Sequence, residues 1–156
     1  MTRAKRRDIR ELLMSTDDNK NIARRFIEEV MAGGKMDAVD SLVTADFRPH
    51  SWGNMPAGTA AFKQAMKRVA AGLSDTRMII EDMIAEGDKV AVRLTAHGVH
   101  KGEFMGMKPT GKAYTIPEIH IFRIQGGKIS EHWREADMLG MMQQLGALPQ
   151  PQKKAS

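Results

Sequence analysis

Asp137 sits in the stretch EHWREADMLGMMQQLGA (residues 131–147), whose first half alternates like a strand and whose second half repeats Leu and Met at helical spacing. Trp133 lies four residues before it. A carboxyl buried beside an apolar ring has its pKa raised toward the working range of a general acid/base, and a nearby imidazole can orient it. The same aspartate stands immediately before Met138, where the first turn of a helix needs a capping side chain. Spacing alone favours the cap, and the two roles do not exclude one another.

Register adds to the catalytic reading. Gly126-Gly127 suits a two-residue hairpin loop, which sets Gln125 against Lys128, Glu118 against Glu135 and His120 against Trp133. Residues four apart on a strand share a face, so His120, Trp133 and Asp137 are expected to project together. A one-residue slip would reverse that face. His50, after Pro49 and before Ser51-Trp52, is either a surface or structural histidine or a further member of a site. His97 and His100, with Glu103, have a metal-like composition. Three residues apart on a strand, however, the two imidazoles diverge, so no metal site is expected. There is no nucleophile elbow, phosphate loop, dinucleotide fingerprint or zinc helix motif, and zero cysteines exclude disulfides and a thiol nucleophile. Chemistry in this chain is therefore expected to need no cofactor. Thirteen methionines serve either as adaptable core filler or as the lining for a flat ligand.

The elements that must position these groups begin with DDNKNIARRFIEEVMAGG, a helix that Asp17 or Asp18 can cap, with Ile22, Phe26 and Val30 on one stripe and Gly33-Gly34 at its end. KMDAVDSLV is a short helix, and ADFRPHS is extended, because Pro49 biases Arg48 away from helix. GTAAFKQAMKRVAAGL restores the helical period, with Phe62, Met66 and Val69 inward. Two strands then flank Glu86-Gly87-Asp88, with Val90, Val92 and Leu94 alternating. A Gly/Pro loop, KGEFMGMKPTGK, leads to the hairpin and to a last helix from Met138 to Leu145. Helices first and strands after predict an α+β fold, with helices on one face of a curved antiparallel sheet and a pocket at its open end.

The length fits one domain, divided into a basic arm at 1–16, a folded domain at 17–147 and a Pro-rich tail at 148–156. The net charge of +5 is concentrated at the ends, with about +4 in the first ten residues and +2 from Lys153 and Lys154. The body is close to neutral and has one tyrosine for stacking, so nucleic acid is not an expected partner. No apolar run is long enough to span a membrane, and no secretory signal follows the basic start. A cytoplasmic location is the expectation.

IIEDMIAEGDKVAVRLTAHGVHKGEFMGMKPTGK followed by IFRIQGGKISEHWREADMLGMMQQLGA resembles the SnoaL-like polyketide cyclase family of the nuclear transport factor 2-like superfamily, over roughly Asn21 to Ala147. The resemblance implies a cone of three or four helices on a strongly bent antiparallel sheet around an apolar cavity. It implies ring closure of a polyketide ester by intramolecular aldol condensation, without metal or Schiff base. Asp137 then takes the acid/base position, assisted by His50 and His120, with Trp133, Phe104 and Met105 shaping the pocket. Two other readings belong to the same fold: a small-molecule binding protein without catalysis, and an epoxide hydrolase. The hydrolase needs an Asp-Arg-Asp set, for which Arg93, Arg123 and Arg134 offer only the arginine. A homodimer or higher homo-oligomer through the outer sheet face is also expected.

Overall fold

A computed structural model of the chain describes residues 14–149, so the expectations for residues 1–13 and 150–156 lie outside the described residues. The first helix, α1 (Thr16–Arg25), starts two residues earlier than a cap at Asp17 would place it and three earlier than a cap at Asp18. Ser15 is the cap, and Asp18 bonds back to the Ser15 backbone in a capping box. The chain runs on as a π-helical segment, Phe26–Ala32. A 3-10 turn, Met36–Ala38, and a short α2, Val39–Leu42, lead into β1, Val43–Pro49. After α3 (Ala60–Gly72) come β2 (Leu73–Glu86), β3 (Lys89–His100), β4 (Ala113–Gln125) and β5 (Lys128–Ala136), then α4 (Met138–Leu145).

The five strands form one open sheet in the order β1-β5-β4-β3-β2. It is mixed rather than purely antiparallel. The sequential strands β2 to β5 pair as hairpins, whereas β1 returns from the helical layer and joins the β5 edge in parallel. The helices cover the concave face, giving the α+β cone. Phe26, Phe47, Phe62 and Phe122, all fully buried, pack in its core as one cluster with ring centroids 5.3–6.1 Å apart. Losing any one of them would remove about 3–5 kcal/mol.

β4 reverses the usual alternation. Glu118 and His120 point inward between Ile116 and Phe122, while Ile119 and Ile121 are exposed. Buried polar groups persist only when hydrogen-bonded, so this strand marks where the core becomes a site. Facing it, β5 carries one extra residue. Ile124 pairs with Ile129 but Arg123 pairs with Glu131, leaving Ser130 as a bulge.

Candidate active site

The bulge overturns the expected register. Beyond Ser130, His120 lies opposite Arg134, and Trp133 lies opposite Ile121. His120 and Trp133 are therefore on opposite faces. His120 is fully buried inside. Trp133 is on the outer face, stacked on the exposed His50 with centroids 4.6 Å apart and planes at 7°. The Nε2 of His50 lies 2.8 Å from Glu131 Oε2. Neither His50 nor Trp133 lines the cavity.

Asp137 follows β5 and caps α4. It is exposed, its Oδ1 accepts the Gly140 N–H at 2.8 Å, and it is not among the cavity-lining residues. Replacing it with alanine is expected to lower unfolding free energy by ~1 kcal/mol, the usual worth of a cap, measured by urea titration.

Between helices and sheet lies a cavity of about 820 Å³, within the size range of drug-like ligand sites. Eight of the thirteen methionines line it, among them Met31, Met66, Met78 and Met141. Phe104 and Met105 also stand on its wall, placed there by the loop after β3. That loop is tied at both ends. Lys101 and Gly102 donate their N–H groups to Gly72 O at 3.0 Å, and Gly111 donates to His100 O at 2.8 Å. The loop passes so close to α3 that a Cβ on Gly102 would meet Ala71 O at 2.1 Å. His100 faces inward and bonds Thr110, while His97 faces outward and bonds Thr115, so the two imidazoles do diverge.

The polar wall is built from β4 and β5. Arg134 grips Glu118 with two bonds, Nε to Oε2 at 2.8 Å and Nη2 to Oε1 at 2.5 Å. Both residues line the cavity. Glu118 Oε2 also lies 2.8 Å from His120 Nε2, and His120 Nδ1 lies 2.9 Å from His132 Nε2. The sequence Arg134, Glu118, His120, His132 thus runs from cavity wall into core. Burial pushes the Glu118 carboxyl up, but the Arg134 and His120 bonds outweigh it and hold its pKa down at about 2. His120 is lowered by burial against the opposing pull of Glu118. His132 is lowered further, by burial and by the neighbouring His120 and Arg134 charges. At neutral pH the set is therefore one ion pair with two neutral imidazoles. Tyr114, raised by burial and by Glu118, adds a neutral hydroxyl to the cavity wall. Its ring lies where Gly98 has no side chain; a Cβ there would meet the hydroxyl at 2.5 Å.

Of the three arginines considered from sequence, only Arg134 lines the cavity. Arg93 is exposed, and Arg123 pairs with Glu131 and Asp88. Spacing pointed to Asp137 and missed Glu118, Arg134 and His132. The signal available was the inverted pattern of IPEIHIF, with charge on the face shared by Ile116 and Phe122.

A family model for the SnoaL-like polyketide cyclases matches residues 21–145. Nogalonic acid methyl ester cyclase of Streptomyces nogalater is 33% identical over 116 residues, covering 72% of this chain and 87% of that enzyme. Aklanonic acid methyl ester cyclase DauD of Streptomyces sp. (strain C5) is 30% identical over 129 residues, 81% of this chain and 80% of its own length. Among solved structures, TsrD from Streptomyces laurentii superposes with a TM-score of 0.78 at 27% identity, covering 86% of this chain and 98% of that one. On these matches and the cone just described, the chain is an enzyme-type fold of known lineage and belongs to the SnoaL-like polyketide cyclase family.

Proposed function

We propose that the protein closes a ring in a flat polycyclic keto ester by intramolecular aldol addition, using Glu118 as the base. The observation that carries this reading is the Glu118–Arg134 ion pair set into the wall of a methionine-rich cavity. At rest Arg134 keeps the carboxylate ionised and weakly basic. Nη1 of Arg134 is not used by Glu118 and can donate to a substrate carbonyl oxygen. As that oxygen gains charge it draws the guanidinium from Glu118, and burial then raises the carboxylate toward a working pKa. Glu118 removes the proton from the carbon beside the ester. The enolate carbon attacks the ketone carbon, a C–C bond forms as the C=O π bond breaks, and the carboxylic acid returns its proton to the new alkoxide. Arg134 stabilises the oxyanion throughout. Asp137 is left as the cap of α4.

The product is an isomer of the substrate, so incubation with nogalonic acid methyl ester is expected to give a compound of unchanged mass and new retention, with loss of the ketone carbonyl signal. Tight binding without isomerisation would instead favour a ligand-binding protein.

The outer sheet face supports a second copy of the chain as partner. Ile84, Ile119 and Ile79 are 66%, 53% and 48% exposed there, an apolar patch of the kind that marks an interface. Size-exclusion chromatography with light scattering is expected to read about twice the 17.4 kDa chain mass; a value near 17 kDa rules out the dimer. Among the described residues no helix is long and apolar enough to cross a membrane.

A further inference from the structure

His132 is fully buried and does not line the cavity, yet its hydrogen bond ends on the ring that touches Glu118. We propose that His132 is the positioning residue that tethers the His120 ring from behind and so keeps the His120 Nε2–H on one oxygen of Glu118. This rests on the reading of Glu118 as the base.

The geometry leaves one consistent order of donors. Glu118, ionised and gripped by Arg134, can only accept, so the proton at the 2.8 Å contact sits on His120 Nε2. A neutral His120 then has a bare Nδ1. Across 2.9 Å from that lone pair, His132 Nε2 must be the donor. His132 Nδ1 is then bare, and it is a buried nitrogen without a partner. In the opposite tautomer of His132, two lone pairs would face each other and a buried N–H would have no acceptor. The surrounding rings leave His132 little freedom to turn. Phe122 stacks on it at 4.7 Å and 5°, and Phe26 meets it in a T-shaped contact at 5.8 Å.

The order of protons matters to the reaction. With His120 Nε2–H fixed on Oε2, the oxygen that Arg134 releases to accept the substrate proton is Oε1. Without His132, the His120 ring loses its second tether and can turn off Oε2, and Glu118 is free to rotate and offer either oxygen.

Long-range 15N–1H correlation spectra of ligand-free, 15N-histidine-labelled protein test this directly. Both His120 and His132 are expected as neutral rings protonated at Nε2. In His132→Leu the His120 Nε2–H signal is expected to broaden and shift upfield as its bond to Glu118 loosens, and kcat to fall about tenfold, the rate equivalent of one lost hydrogen bond, with KM little changed. In His132→Gln, whose side-chain N–H can still donate, both the signature and kcat are expected to recover. A wild type with either ring protonated at Nδ1, or a His120 Nε2–H signal unchanged in position and width in His132→Leu, overturns the proposal. If the leucine variant does not fold, as judged by circular dichroism, the wild-type and glutamine spectra decide. Expected spectra with no turnover in any form would support the donor order and sink the cyclase reading, so the two can fail separately.

Discussion

Glu118→Gln is expected to lower kcat by roughly 10²–10⁴-fold, the range for removing a general acid/base, with KM changed far less. The substitution keeps the shape of the side chain and its capacity to accept from His120, but it deletes the charge that takes the proton. The control is Asp137→Asn. Asparagine caps a helix about as well as aspartate, and the exposed Asp137 carboxyl is committed to Gly140 at the α4 end, so turnover is expected to stay within a few-fold of wild type. Steady-state kinetics of the pair separate two sites only a short way apart along one hairpin. If Asp137→Asn abolished turnover while Glu118→Gln left it intact, the acid/base would lie on the helix end and the wall ion pair would be structural.

Acidification is expected to destabilise the protein from just below neutrality. The sign follows from the three buried groups. His120 and His132 have folded pKa values below the ordinary 6.5, so below that pH the unfolded chain binds more protons and stability falls as pH falls. Each histidine contributes roughly 1 kcal/mol per pH unit while its folded form stays neutral. Glu118, at about 2 against 4.5, contributes stability present above 4.5 and lost between 4.5 and about 2. Urea unfolding midpoints measured from pH 7.5 down to 4.5 should therefore decline, most steeply below 6.5, and His132→Leu should flatten the decline. A level profile across that window would mean that neither imidazole is held neutral by burial.

Much of the scaffold was legible because its determinants are local. The strand alternation of Val90, Val92 and Leu94, the Gly-Gly hairpin and the helical repeat after Asp137 depend on neighbours in sequence, and each formed where its pattern predicts. The family resemblance carried the cone as a whole. What stayed hidden was a matter of one residue. A bulge at Ser130 depends on how β5 must bend against its partners, which no hairpin rule reads from Gly126-Gly127, and it exchanges the faces of every residue after it. Trp133 therefore moved outward to meet His50, and Arg134 moved inward to meet Glu118. The parallel return of β1 was hidden for the same reason, since nothing in ADFRPHS names the edge it joins.

The methionine wall has a consequence for substrate choice. Thioether side chains are unbranched and rotate readily, so a cavity lined by eight of them can mould itself to molecules of different outline at little penalty. The Arg134–Glu118 corner, by contrast, is held by a two-bond ion pair and backed by stacked rings. Discrimination between candidate polyketides should accordingly depend on the separation of the ester and ketone oxygens, and broad tolerance is expected for substituents elsewhere on the ring system.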